Sequence, residues 1–173
     1  MIPYRETIKK RATAEYTHKK QSGGHGQYGK VVIDIWPLET GKYYQFENGI
    51  VGGVISKGYF PGCEKGFHEA MEDGVLAGFH VVDIGVKLID GKEHPVDSSE
   101  MSFKIASREA FKEAMRQASP VLLEPIMELS VYVEQKYVGD VLSDLSSKRG
   151  KVLGQESLGN IELIKALVPQ KEL

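Results

Sequence analysis

A glycine-rich segment near the N-terminus limits the folds open to this chain more than any other feature. Gly24, Gly26 and Gly29 are followed by Lys30, a spacing that fits the phosphate-binding patterns of nucleotide-binding proteins. Those patterns require particular structures after the glycines, whereas here the β-branched and aromatic run 31–36 follows. Such a run is typical of a β-strand. The segment therefore predicts the flexible tip of a β-hairpin, poor in side chains, and not a nucleotide loop.

Each of three phosphate-binding patterns lacks a part that its chemistry needs. A dinucleotide fold requires a helix directly after the glycines, so that the helix N-terminus faces the pyrophosphate. A P-loop requires Ser or Thr after the lysine to hold magnesium, and here Val31 follows. A protein-kinase loop does lie between strands, but V-A-I-K, H-R-D and D-F-G are all absent from the sequence. A phosphotransferase remains an alternative that ATP- or GTP-induced thermal stabilisation would reveal, and we expect none.

Positive charge is concentrated in the first 30 residues. This segment has seven Lys or Arg residues and two acidic residues, a net charge of +5, whereas the whole chain carries −2 and the remainder therefore −7. A basic hairpin on an acidic body favours contact with a polyanion, most simply RNA, with Lys19, Lys20 and Lys30 as supporting basic residues. The alternative is a solvated hairpin whose lysines only keep an edge strand soluble.

Composition excludes several classes of protein. The chain has 173 residues, 41% of them hydrophobic and 27% charged, which are ordinary values for a globular protein. No apolar run approaches the roughly 20 residues of a transmembrane helix, and no signal peptide is apparent. The single cysteine, Cys63, excludes an internal disulfide, and its spacing with Phe67 and Met71 predicts a buried, inert thiol. We therefore expect a cytoplasmic protein with no membrane partner and no metal site.

Strand and helix patterns alternate along the chain and predict an α/β protein with two layers. Apolar residues alternate in the predicted strands and recur every third or fourth residue in the predicted helices. The predicted strands are 8–19, 30–36, 43–46, 81–89, 126–134, 151–156 and 160–167, and the predicted helices are 57–73, 99–118 and 137–148. In the second helix we expect an inward face formed by Met101, Ile105, Ala110, Ala114 and Ala118.

A second loop is predicted within the first part of the chain. The pair Asp90-Gly91 is typical of a turn and predicts this loop over residues 90–95.

A boundary between two domains is predicted near residue 120. Pro120 and Pro125 bracket a short segment that we interpret as the joint between two domains. Beyond it, the order β-α-β-β is the first part of a ferredoxin-like β-α-β-β-α-β unit. We therefore expect an incomplete second domain with an open strand edge.

Several motifs, in order along the chain, resemble the fourth and fifth domains of translation elongation factor G. The most specific is Gln21–Gly29, which reads QSGGHGQYG and is similar to that family's QSGGxGQYG signature. The other fourth-domain segments are 50–55, 69–70, 74–78 and 96–104, and the fifth-domain segments are 120–127, 139–142 and 149–154. The resemblance covers nearly the whole chain, with spacing like that of the family.

This resemblance implies a fold and a division into domains. It implies a ribosomal-protein-S5-like domain over residues 1–121, followed by a truncated ferredoxin-like domain over residues 122–173. It also implies that GTP and Mg²⁺ belong to a separate domain of a parent protein, so that this fragment has no cofactor and no enzymatic activity of its own. The implied partners are the ribosome, including its rRNA, and the missing GTPase domains of the parent chain.

The resemblance further implies that two tip loops, Ser22–Tyr28 and Asp90–Val96, contact tRNA and mRNA in the decoding site during translocation. Within them, Gln27 and His94 match positions that touch tRNA or codon backbone in the family. A hairpin of glycines and hydrogen-bonding side chains suits this task, because it follows ribose and phosphate without reading base sequence. The predicted RNA-contacting residues are Gln21, Ser22, Gly23, Gly24, His25, Gly26, Gln27, Tyr28, Lys92 and His94. No residue is predicted to be catalytic or to bind a metal.

Two positions depart from the family pattern. His25 stands where many members carry arginine, and Glu93 lies in a loop that commonly reads D-G-S-Y-H. At pH 7 an imidazole attracts phosphate more weakly than the permanently charged guanidinium does. These departures leave open a paralogue specialised for ribosome recycling or rescue. A free-standing RNA-binding protein, suggested by the basic hairpin, is the other alternative.

Overall fold

The computed structural model describes all 173 residues, with the exception of the Ser22 side chain. The chain divides into two compact units. One unit consists of residues 5–123, and the other consists of residues 124–173 together with residues 1–4. The segment 120–125, which we expected to be a joint, is not a simple linker, because residues 120–123 form a strand of the first unit.

The first unit has two layers, a mixed sheet and a pair of helices. Its elements are β1 (Arg5–Ile8), β2 (Ala12–Ser22), β3 (His25–Pro37), β4 (Tyr44–Asn48), α1 (Phe60–Asp73), β5 (Ile84–Lys92), α2 (Glu100–Gln117) and β6 (Pro120–Leu123). The main sheet has the order β2-β3-β5-β4, in which β4 is parallel to β5 and the other neighbours are antiparallel. β1 and β6 form a separate antiparallel pair. The predicted two-layer α/β class is confirmed.

The core of this unit lies between the sheet and the two helices. Phe67 of α1 and Phe103 and Phe111 of α2 are fully buried, together with the β-branched residues on the inner faces of β3 and β5. The rings of Phe67 and Phe111 lie 5.7 Å apart between centroids, a distance typical of packed aromatic pairs. Cys63 is buried in the same cluster, as predicted. Burial raises the pKa of its thiol to about 11, so the thiol stays protonated and unreactive at pH 7.

The first predicted strand, 8–19, is in fact two strands. β1 ends at Ile8 and β2 begins at Ala12. Between them, the backbone N–H groups of Lys9 and Lys10 donate to the carbonyl oxygen of Ala118, at 3.1 and 3.0 Å. The chain leaves the strand conformation here because these backbone donors find partners at the end of α2 and not in the sheet.

α2 begins at a capping box at Ser99, the first residue of the predicted helix 99–118. The Ser99 hydroxyl accepts from the backbone N–H of Ser102 at 3.1 Å, and the Ser102 hydroxyl accepts from the backbone N–H of Ser99 at 2.9 Å. These two bonds satisfy amide groups that the first turn of a helix otherwise leaves unpaired. The cap therefore fixes where the helix starts and where the preceding loop ends.

The inward face of α2 differs in part from the prediction. Ala110 and Ala114 are buried, but Met101 is 52% exposed and Ile105 is only partly buried. The buried residues of the helix are Ser102, Phe103, Ala106, Ser107, Ala110, Phe111, Ala114 and Met115. Hydrophobicity alone does not identify this face, because two of its buried residues are serines.

The second unit is a three-stranded antiparallel sheet with one helix. Its elements are β7 (Ile126–Glu134), α3 (Val138–Ser147), β8 (Lys151–Leu158) and β9 (Ile161–Pro169). The strand order β7-β9-β8 is that of the first three strands of a ferredoxin-like unit, and the predicted order β-α-β-β is confirmed. Leu145 of α3 packs on Ile164, Ala166 and Val168 of β9 to form a small separate core.

Candidate nucleic-acid interface

The glycine-rich segment forms the end of the β2–β3 hairpin. Pairing continues to Ser22 and His25, so that Gly23 and Gly24 alone form the turn. Both glycines have positive φ angles, 56° and 87°, as a two-residue type I′ turn requires. The predicted hairpin is present, and its two strands pair continuously in an antiparallel ladder. We call residues 19–28 the hairpin tip.

The second loop begins later than the sequence predicts. β5 continues through residues 90–91 to Lys92, which pairs with Lys30 of β3. The predicted bend at residues 90–91 is therefore wrong. A side chain at Gly91 would overlap the carbonyl oxygen of Lys30, so glycine is required there by a close approach of two strands and not by a turn. The connection to α2 runs over residues 93–99, and we call this segment the second loop.

Three contacts join the second loop to the hairpin tip. The backbone N–H of Tyr28 donates to the carbonyl oxygen of Asp97 at 2.9 Å. The Ser98 hydroxyl donates to the carbonyl oxygen of Tyr28 at 2.7 Å. The Asp97 carboxylate lies against Gly26, where any Cβ atom would overlap it. The two loops that the sequence predicted to act together are therefore held side by side.

The joined loops form two adjacent depressions on the surface. The first has a volume of about 240 Å³ and is lined by Lys19, Gln21, Gln27, Tyr28, Lys92, Glu93, His94 and Asp97. The second is lined by Gln21, Gly23, Gly24, His25, Gly26 and Asp97. Every predicted RNA-contacting residue except Ser22, whose side chain lies outside the described part of the chain, therefore lines one of the two. Their amide, imidazole, ammonium and backbone groups offer the donors and acceptors that ribose and phosphate need.

Two of the predicted contact residues are held in defined orientations. His94 Nδ1 accepts from the backbone N–H groups of Val96 and Asp97, at 3.1 and 3.0 Å. Gln27 Oε1 lies 2.8 Å from His18 Nε2, within hydrogen-bond distance. Both side chains are thus positioned before any ligand arrives, which lowers the entropy cost of binding.

The lysines of the interface differ in how far their charge is balanced. Lys19, Lys20 and Lys92 are exposed, and none of them forms a salt bridge with any side chain that the structure describes. Lys30 lies at the base of the tip, partly buried and 3.7 Å from Glu15. The charge available to a polyanion therefore comes mainly from the three exposed lysines.

The sequence did not identify three residues that shape this interface, His18, Asp97 and Ser98. Because side chains alternate along β2, His18 and Lys20 lie on the same face of the strand. Lys20 pairs with Gln27 across the hairpin. The hairpin register would therefore have revealed the contact of His18 with Gln27. Asp97 and Ser98 act through a backbone carbonyl and a hydroxyl, and no spacing in the sequence signals such contacts.

The hairpin tip is not built to hold a nucleotide. Strand β3, and not a helix, follows the turn at Gly23 and Gly24, so no helix begins directly after these glycines to hold a pyrophosphate, and the residues present do not fit GTP with Mg²⁺. Among the side chains that the structure describes, no group of three or more His, Cys, Asp or Glu residues is placed to hold a metal ion. None of the helices in the described part of the chain is long and apolar enough to cross a bilayer.

The fold and the site define a class of protein with two consecutive α/β units, the first of which carries a glycine-rich hairpin tip joined to a second polar loop. Sequence comparison identifies the family within this class. The family described as "Elongation factor G, domain IV" matches residues 1–119, and "Elongation factor G C-terminus" matches residues 121–173. The chain belongs to the elongation factor G family.

Two relatives illustrate this membership. Elongation factor G of Aquifex pyrophilus is 51% identical over 172 residues, which are 99% of this chain and 25% of that protein. A protein of known crystal structure from Thermus thermophilus is 48% identical, has a TM-score of 0.90, and is matched over 99% of this chain and 26% of its own. The chain spans about a quarter of the length of these relatives.

Proposed function

We propose that this chain is the ribosome-contacting part of a translational GTPase, and that its two loops contact tRNA and mRNA in the decoding site during translocation. The observation that carries this proposal is the joining of the second loop to the hairpin tip through Tyr28, Asp97 and Ser98. In a chain of the elongation factor G family, this joining supports a single RNA-facing surface built from the residues that the family motif marks.

The chemistry of the surface suits an RNA backbone whose sequence changes with every codon. Gly23 and Gly24 carry no side chains, so their peptide groups approach ribose and phosphate closely. Gln27 and His94 supply oriented hydrogen bonds, and the exposed lysines supply attraction that does not depend on sequence. Positioning of this kind holds tRNA and mRNA together without preference for particular bases.

The remaining parts of the activity belong to the parent protein in this proposal. GTP and Mg²⁺ act in a separate domain of that protein. The partners are rRNA, the tRNA–mRNA pair and the GTPase domains of the same polypeptide, and the location is the cytoplasm. Residues 124–173 supply a second unit, for which we propose contact with large-subunit RNA.

The first test is the rate of translocation by the parent protein carrying His94→Ala. We expect mRNA–tRNA movement, measured in single-turnover kinetics, to slow about tenfold, because one hydrogen bond to a charged group is worth about 1.5 kcal/mol. GTP hydrolysis should be unchanged, since the substitution lies outside the GTPase domain.

The matched control for that test is His80→Ala. His80 is an exposed histidine of the same unit that lies outside the hairpin tip and the second loop. Its replacement should leave translocation within about twofold of the wild-type rate. Wild-type rates in both variants would contradict the proposal.

The second candidate function is ribosome recycling or rescue, and Glu93 is the observation that favours it. Its carboxylate accepts from the Ser56 hydroxyl at 2.6 Å and lines the same depression as His94. A negative charge held at this place opposes phosphate, so the surface differs from the family pattern in charge. Parent protein that splits ribosomes normally but translocates poorly would favour this candidate.

Binding of generic RNA separates a ribosome-specific module from a free-standing RNA-binding protein. We expect the chain to bind single-stranded RNA weakly, with a dissociation constant no tighter than about 1 μM at physiological salt. With three exposed lysines, the slope of log K against log[salt] should be about −2, at about −0.7 per phosphate contact. Replacing Lys19 and Lys20 by alanine should reduce the slope to about −0.7. Nanomolar binding with a much steeper slope would favour the free-standing protein.

A further inference from the structure

The second loop holds His94 through one nitrogen of its ring. Nδ1 accepts two backbone N–H groups, those of Val96 and Asp97, at 3.1 and 3.0 Å. The backbone N–H of His94 itself donates to the Ser98 hydroxyl at 2.8 Å. The loop therefore closes on itself in a tight turn, with the imidazole ring as its internal acceptor.

These bonds select one form of the imidazole. A ring nitrogen that accepts a hydrogen bond carries a lone pair, so the hydrogen of the neutral ring must sit on Nε2. A protonated ring would direct an N–H at two backbone N–H donors and would lose both bonds. The Asp97 carboxylate lies 3.7 Å from Nδ1, too far for a hydrogen bond, and so does not replace them.

The same turn fixes the loop to the hairpin tip. Ser98 uses one hydroxyl for two purposes, because it accepts from the His94 backbone and donates to the Tyr28 carbonyl oxygen. The Asp97 carbonyl oxygen accepts from the Tyr28 backbone N–H, and its carboxylate packs on Gly26. The position of His94 relative to the hairpin tip is therefore set by Asp97 and Ser98.

We infer that Asp97 and Ser98 are positioning residues that hold His94 as a neutral Nε2–H donor beside the hairpin tip. The part of this inference that concerns RNA rests on the proposed function. In that role His94 donates one directed hydrogen bond to a phosphate or a ribose hydroxyl and adds no net charge. The contribution of His94 to RNA affinity then depends on the geometry of this hydrogen bond, and added salt weakens that contribution little.

Nuclear magnetic resonance of the ¹⁵N-labelled chain at pH 8 tests the inference without a ribosome. We expect the His94 nitrogen that couples to both carbon-bound ring protons, Nε2, to show the shift of a protonated nitrogen, with no averaging between tautomers. The amide hydrogens of Val96 and Asp97 should exchange with solvent at least about tenfold more slowly than in an unstructured peptide. An averaged or Nδ1-protonated ring, or unprotected amides, would overturn the inference.

Variants at Ser98 test the positioning role. Ser98→Ala should abolish the protection of the Val96 and Asp97 amides, whereas Ser98→Thr, which keeps the hydroxyl, should retain most of it. The control Ser157→Ala changes an exposed serine of β8 in the other unit and should have no effect. Protection that survives Ser98→Ala unchanged would contradict the role of this residue.

Translocation rates of the parent protein carrying Ser98→Ala or His94→Ala distinguish the positioning role from the proposed function. If the resonance results are as expected and Ser98→Ala slows translocation by about as much as His94→Ala, both proposals are supported. If the resonance results hold but both variants translocate at the wild-type rate, the proposed function is contradicted and the positioning role stands. An averaged ring in the wild-type chain overturns the positioning role whatever the rates are.

Discussion

Replacing Glu6 by glutamine should lower the free energy of unfolding of the first unit by about 3–6 kcal/mol. The Glu6 carboxylate is fully buried and accepts from the backbone N–H groups of Val75, Leu76, Ala77 and Phe79, at 2.8 to 3.0 Å. A glutamine amide would direct its own N–H₂ at two of these donors, and each lost bond to a charged group is worth about 1.5–3 kcal/mol. Urea unfolding followed by the fluorescence of Trp36, the single tryptophan, measures the change in this unit.

The control for this substitution is Glu39→Gln at an exposed position of the same unit, which should change stability by less than about 0.5 kcal/mol. Acid provides a further check. Burial alone raises the pKa of Glu6, but the four backbone N–H groups outweigh it and the pKa falls below its ordinary value of 4.5. The stabilisation is complete above pH 4.5 and is lost as the pH falls through the lower folded-state pKa. The difference between wild type and variant should therefore shrink only below pH 4.5, and a difference that is constant with pH would contradict this account.

Gly66→Ala should lower the stability of the same unit by about 2 kcal/mol, although alanine is the better helix former. A Cβ atom at Gly66 would overlap the backbone carbonyl oxygen of Lys104 in α2. It would also lie 2.9 Å from the backbone nitrogen of Arg108 and 3.0 Å from Ser107 Cβ. Overpacking of this kind costs about 3 kcal/mol when backbone must move, and the helix propensity of alanine returns about 1 kcal/mol. The denaturation midpoint measures the net effect.

Gly58→Ala is the matched control for this prediction. Gly58 belongs to the same unit, and a Cβ atom there would meet nothing within 4 Å. Its replacement should shift stability by less than about 0.5 kcal/mol in either direction. Equal effects of the two substitutions would show that the contact between α1 and α2 is looser than the structure indicates.

The contact at Gly66 also explains why the inward face of α2 was only partly predictable. Hydrophobic periodicity selected Met101 and Ile105, but the helix instead buries Ser102 and Ser107. A small residue is needed at Ser107, where α2 approaches Gly66 of α1 closely, whereas Ser102 belongs to the capping box and lies beside Gly29 of β3. A serine on this face has no distinctive hydrophobicity. The order of the other strands and of the helices, in contrast, followed from hydrophobic periodicity, because each of these elements buries one face on a core. The short strands β1 and β6 were not predicted.

The predicted RNA-contacting residues lie together in two adjacent depressions, but the sequence did not indicate how they are held, and their contact with RNA stays a prediction. The glycine spacing and the strand after it predicted the hairpin correctly, because a type I′ turn needs two residues with positive φ. The bend at Asp90-Gly91 was wrong, because the same pair also permits two strands to approach. Asp97 and Ser98 could not be found, since their contacts depend on the tertiary placement of the second loop against Tyr28.

The β2–β3 ladder extends further than the β3–β5 ladder, so the hairpin of β2 and β3 projects beyond the end of the main sheet. The β3–β5 ladder ends where Lys30 pairs with Lys92, but β3 pairs with β2 from His25 onward. Five residues of β3 therefore project beyond the sheet, which corresponds to about 17 Å at 3.4 Å per residue. This projecting part of the hairpin is supported on one side, because the second loop lies against Gly26 and Tyr28. At Gly23 and Gly24, in contrast, a Cβ atom would meet nothing within 4 Å. A partner that approaches this end of the first unit therefore meets the open turn first and the supported part of the hairpin behind it.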